Sequence, residues 1–155
     1  MSLPARAPKS LVFCSSAGHC QLDCEYCVAA PVVKREPSIV YEDLVFLLER
    51  LEPPVGIYFS GRGDFFAGYP KRDRFLEKVL DHDVVVGLDV NGVLLNEYPE
   101  LPPEKLAKIV DVNLTLHYGQ VKAKRVEKAW VANARQVIGK TTGSLIVGTI
   151  LSPLA

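Results

Sequence analysis

Hydrophobic positions along this chain follow two alternating patterns. Short, nearly continuous apolar runs occupy Leu11 to Cys14, Gly56 to Gly61, Val84 to Val90, Val112 to His117 and Leu145 to Leu151, each bounded by Gly, Pro, Asp or Asn. Their length and β-branched content predict buried strands, apolar on both faces. Between these runs the apolar positions recur at helical spacing. Leu44, Leu47, Leu48 and Leu51 share one face of a first helix, with Ser38 upstream as its cap and Pro53-Pro54 as its stop. A second helix is expected over Lys71 to Leu80, with Phe75, Leu76 and Val79 turned inward. A third begins at Pro103, a residue suited to a first helical turn, and carries Leu106, Ile109 and Val110. The fourth and longest aligns Val126, Trp130, Ala134, Val137 and Ile138, with Gly139 as a left-handed terminator.

Strands alternating with helices predict an α/β domain: a parallel sheet covered by helices and connected by right-handed crossovers. In such folds the loops leaving the C-terminal ends of the strands share one rim, where ligands bind. The residues with chemistry to offer fall in those loops. The first strand leads into a cysteine cluster, the second into Ser60-Gly61-Arg62-Gly63-Asp64, and the third into Asp89-Val90-Asn91-Gly92. The fourth ends at His117-Tyr118-Gly119. One site is therefore expected on that rim.

Composition narrows the picture. At 155 residues, 48% hydrophobic and 23% charged, the chain suits one globular domain over residues 1–155, without repeats or low-complexity tracts. Lys plus Arg equal Asp plus Glu at 18 each, so no net field draws it to nucleic acid or an anionic membrane. No apolar run is long enough to span a bilayer and the first residues lack a signal-peptide core, so a cytoplasmic location is expected. The four cysteines, at 14, 20, 24 and 27, sit together near the start, where disulfide staples would be spread along the chain.

Clustering favours metal binding. Cys20, Cys24 and Cys27 read C-x3-C-x2-C, a loop short enough for three thiolates to face one inorganic cluster. A four-iron cluster held by three cysteines keeps one iron open for substrate, whereas an electron-transfer cluster closes all four. Two other chemistries stay open: a zinc site completed by His19 or Cys14, and a redox pair formed by Cys24 and Cys27. Cys14, inside an apolar run, is expected to be a small core residue instead. His19 reads as a solvated loop residue, His82 as a surface residue at a helix end, and His117 as a candidate on the rim.

The C-x3-C-x2-C loop after a first strand, with aromatic Tyr26 just before the last cysteine, resembles the signature of the radical SAM superfamily. The resemblance implies a partial TIM-like barrel of five to six βα units. It implies a [4Fe-4S] cluster on Cys20, Cys24 and Cys27, with S-adenosyl-L-methionine on the open iron. Reductive cleavage would then give a 5′-deoxyadenosyl radical that abstracts hydrogen from a substrate. Tyr26 would lie near the adenine. Ser60, Gly61, Arg62, Gly63 and Asp64 stand where the family has a Gly-Gly-Glu-Pro-like loop; Asp64 or backbone carbonyls near Gly61 would hold the methionine amine. Asn91 and His117 would meet the ribose or the carboxylate, and Ile146-Val147-Gly148 would pack on the adenine.

Implied partners are an external electron donor and a small-molecule or peptide substrate, a glycyl-radical enzyme included. The family core has six strands, while this sequence stops at Ser152-Pro153-Leu154-Ala155 after its fifth, which predicts an open edge. A fragment, a short family member and a subunit covered by a protein partner all account for that edge. The alternative function is a non-catalytic zinc- or cluster-binding module that docks through it. Lys122, Lys124, Arg125 and Lys128 read as a solvated face at the start of the fourth helix, where the macrodipole disfavours positive charge.

Overall fold

A computed structural model describes residues 7–15, 20–22, 24, 26–27, 39–61, 63–69, 74–94, 98–141 and 143–150. Its strands are β1 (Ser10–Cys14), β2 (Val55–Phe59), β3 (Val84–Val90), β4 (Ile109–His117) and β5 (Ser144–Ile150). Helix α1 (Tyr41–Leu48) joins the first two strands, α2 (Phe65–Gly68) and α3 (Phe75–Val79) the next pair. After β3 come α4 (Pro103–Leu106), and, beyond β4, α5 (Tyr118–Ala123) and α6 (Glu127–Lys140). Every strand pairs in parallel with its sequence neighbour, in the order β1-β2-β3-β4-β5. A doubly wound sheet would reverse its strand order at a switch point, whereas a barrel does not. The sheet is thus compatible with a partial βα barrel, and it is open: β1 and β5 are its edges.

The pleat sends alternate side chains to opposite faces. On the outer face Val12 and Cys14, Val55, Ile57 and Phe59, Val84, Val86 and Leu88, and Val112 and Leu114 pack with Leu44, Phe75, Val79, Trp130 and Val137 of the helices. Each such side chain fully buried contributes about 1.5–3 kcal/mol. The inner face carries Tyr58, Asp89, Asp111, Asn113 and Thr115 in its centre, none of them fully buried. Towards the β1 edge the same face leaves Leu11 and Phe13 56% and 70% exposed. The expectation of strands apolar on both faces is therefore corrected: among the described residues the helices pack on the outer face, so only that face must be apolar.

Several element boundaries also differ from expectation. The helix at Pro103 forms but stops at Leu106, and Ile109 and Val110 open β4, with Ile109 beside Val86. Gly139 lies inside α6 rather than ending it. That helix ends at Thr141, whose hydroxyl donates to the Val137 carbonyl at 2.8 Å. Ile138, expected inward, is exposed.

The basic stretch is split between two helices. Lys122 falls in the last turn of α5, where positive charge is favoured, and Arg125 adopts a left-handed φ of 56° before α6. Helix α1 starts after Val40 without a side-chain cap, and Ser38 lies outside the described residues, as do His19, Lys71 to Asp73 and the last five residues. The single turn α2 was not expected. Its signal is present in Asp64-Phe65-Phe66, an N-cap residue ahead of two aromatics that become core. His82 is half-buried rather than a free surface residue, hydrogen-bonded to the Tyr41 hydroxyl at 2.7 Å. No helix among the described residues is long and apolar enough to cross a membrane.

Candidate functional site

Parallel strands of similar phase end on one rim, so the residues just beyond β1, β2, β3 and β4 face a common space. A cavity of about 500 Å³ opens there. Cys20, Cys24 and Cys27 line it together with Tyr26 from the same loop. Gly61, Gly63, Asn91, His117 and Gly148 come to its wall from four other segments. Nine of the sequence candidates thus meet at one cavity. Arg62 lies outside the described residues.

The loop after β2 reaches the cavity through backbone rather than side chains. Gly61 and Gly63 have φ of 93° and 98°, a conformation that a Cβ disfavours. Asp64 and Ser60 do not line the cavity. Asp64 is 1% exposed and turned beneath the rim. Its carboxylate accepts from the Phe66 N–H at 3.1 Å, capping α2, and from the Asn91 N–H at 2.7 Å, joining this loop to the end of β3. Burial, the largest influence, raises its pKa above the ordinary 3.8, opposed by these backbone donors. Ser60 is turned inward along the sheet, its hydroxyl donating to Asp89.

At the end of β4, His117 Nδ1 lies 3.0 Å from the Tyr26 hydroxyl, with the two rings stacked at 5.9 Å. Desolvation lowers the His117 pKa below 6.5 and favours the neutral imidazole. Tyr26 is pushed up to about 12, chiefly by desolvation and then by the neighbouring Cys24 and Cys27 sulfurs, so its hydroxyl stays protonated. This contact pins the cysteine loop to β4. Cys20 is also raised above 9.0, first by burial, with its hydrogen bonds from the Leu22 N–H and Asn91 opposing. Cys14 is on the other face, buried in the core, where desolvation pushes its thiol up to about 11. It is a packing residue, as expected.

Asp89, Asn113 and Thr115 also line the cavity, and Asp89 and Asn113 extend it into a polar network along the inner face. The Tyr58 hydroxyl lies 3.0 Å from Asp89 and 3.2 Å from Asp111, while the Asn113 amide donates to Asp89 at 2.9 Å and to Tyr58. Tyr58 lies across Gly87, and a Cβ at that position would run into its ring. The sequence reading placed Asp89 on the rim but missed Tyr58, Asp111, Asn113 and Thr115, because it treated each strand as one apolar run. The signal was available in the inward phase of Tyr58, Gly87-Asp89 and Asp111-Asn113.

Among the described residues no group of three or more His, Cys, Asp or Glu is gathered around a point suited to one metal ion. A cubane cluster would take three thiolates at separate corners, which is the number and type of donor that Cys20, Cys24 and Cys27 would offer it. Three cysteines on the wall of a cavity large enough for a nucleoside-sized ligand fit that group. Gly148 fits too: a Cβ there would touch nothing within 4 Å, so the wall beside it is open. Compared with known proteins, the chain matches no family model, no curated protein and no solved structure.

Proposed function

We propose that this protein is a radical SAM enzyme that binds a [4Fe-4S] cluster through Cys20, Cys24 and Cys27 and S-adenosyl-L-methionine in the adjoining cavity. The observation that carries this reading is the presence of all three C-x3-C-x2-C thiols on one cavity of about 500 Å³ at the C-terminal rim of a parallel sheet. When bound, the two groups together supply an electron to the sulfonium and a 5′-deoxyadenosyl radical for hydrogen abstraction.

The chain's own part is to position and enclose. Exposed backbone at Gly61 and Gly63 offers peptide groups to the methionine end, a task that buried Asp64 supports by holding the loop. The Tyr26-His117 contact closes one side and presents ring faces to a base. Gly148, between Ile146 and Ile150 on the cavity wall, gives an open apolar strip against which an adenine can lie. Asp89 and Asn113 provide polar groups deeper in the cavity for the substrate. An external donor supplies the electron.

The test is to reconstitute the protein anaerobically with iron and sulfide, reduce it, add S-adenosyl-L-methionine and measure 5′-deoxyadenosine. A brown protein that forms this product supports the proposal, and Cys24→Ala should abolish the product. Colourless protein that takes up only zinc would overturn it in favour of a second reading, a metal-binding module that docks on a larger protein. That reading draws on Ile146 and Val147 of edge strand β5, each 54% exposed.

A further inference from the structure

Asn91 is a more occupied residue than a ligand contact would be. It is 6% exposed, and its backbone and side chain all have partners. Its N–H donates to buried Asp64 at 2.7 Å, and its carbonyl accepts from Trp130 Nε1 of α6 at 2.7 Å. Gly92, at φ 83°, lets the indole come this close, since a Cβ there would strike it. Asn133 of α6 adds bonds to the Gly92 and Val93 carbonyls at 3.2 and 3.0 Å. The peptide after β3 is therefore fastened from two sides.

From that fixed base the side chain reaches across to the cysteine loop. Oδ1 accepts from Gln21 Nε2 at 2.7 Å and from the Val93 N–H at 3.0 Å, which orients the amide. Nδ2 then points at Cys20 Sγ, 3.4 Å away, and the Leu22 N–H approaches the same sulfur at 3.4 Å. The geometry points to Asn91 as the positioning residue for Cys20: its amide donates to the sulfur and ties the first cysteine of the motif to the core through β3 and α6. With Oδ1 taken up by these two donors, any contact of Asn91 with a ribose or carboxylate would be made through its second Nδ2 hydrogen. Donors to cysteine sulfur stabilise the more negative, reduced state of an iron-sulfur cluster, so Asn91 also raises the potential of a cluster held there. That second consequence rests on the proposed function; the anchoring does not.

Two measurements separate them. In metal-free protein kept reduced, a thermal double-mutant cycle compares Cys20→Ala in wild type and in Asn91→Ala; Asn91→Asp, which keeps shape and acceptor, replaces the alanine variant should that fail to fold. The cycle is expected to be non-additive, with Cys20→Ala lowering Tm less once Asn91 is changed. Additive shifts would overturn the anchoring. In reconstituted protein, redox titration followed by absorbance should show a more negative midpoint potential in Asn91→Asp than in wild type. An equal potential would overturn the influence on the cluster and leave Asn91 a merely structural residue. A coupled cycle in a protein that assembles no cluster would uphold the anchoring and sink the radical chemistry instead.

Discussion

Along β3, Val84, Val86 and Leu88 point to the helices and are fully buried, while Val85, Gly87 and Asp89 point the other way into a partly open concavity. β2 divides in the same way, Val55, Ile57 and Phe59 against Gly56 and Tyr58. One face of the sheet is thus an apolar core. The other holds a tyrosine, two aspartates and an asparagine bonded to one another. The difference separates two kinds of surface: the outer face closes the fold by apolar packing, and the inner face with its rim carries the polar groups and the cavity on which the proposed function depends.

That separation is open to attack from either side. The largest effect is expected at the rim, where Cys24→Ala should abolish 5′-deoxyadenosine formation yet shift urea unfolding of the metal-free protein by no more than about 0.5 kcal/mol. On the outer face Leu88→Ala, at a fully buried position, should cost about 2–5 kcal/mol in the same unfolding measurement. Equal stability costs for the two variants would erase the distinction between the faces.

The cysteines offer a chemical version of the comparison. With its thiol pushed to about 11 from an ordinary 9.0, Cys14 carries roughly a hundredfold less thiolate at a given pH. Alkylation of native, metal-free protein, read by peptide mass spectrometry, should therefore leave Cys14 unmodified while Cys24 and Cys27 react. Prompt labelling of Cys14 would show the outer core to be loose.

A smaller effect is expected where the faces meet. Gly87→Ala drives a methyl into the Tyr58 ring and should destabilise by about 1–3 kcal/mol. Tyr58→Ala in the same chain should return much of that loss. Smallest is the pH response of His117. Its folded pKa lies below 6.5, so the stability tied to its neutral form is full above 6.5 and lost as pH falls through the lower folded value. The drop in Tm between about pH 7.5 and about pH 5 should be shallower in His117→Gln than in wild type.

How much of this was legible beforehand varies by region. Nearly continuous apolar runs were visible at once, and β3 runs over Val84 to Val90 as expected. The meeting of the cysteine loop with Gly61, Asn91 and His117 also followed from placing loops at strand ends. Asp64 was read as a possible ligand from its place in the loop, and its actual work as a cap and a tie to Asn91 depends on a contact across 27 positions. Ile109 and Val110 were assigned to a helix because their spacing from Leu106 fits one. Pairing of Ile109 with Val86 drew them into β4 instead, a tertiary preference that local pattern does not contain.

By itself the sequence determined the alternation of strands and helices, the grouping of three thiols in one short loop, and which glycines and polar residues follow each strand, because these are local properties of the chain. Only the tertiary structure decided which face of the sheet the helices cover and which polar groups satisfy one another across it. Burial and hydrogen bonding are relations between distant segments, and their free energy exists only once those segments are brought together.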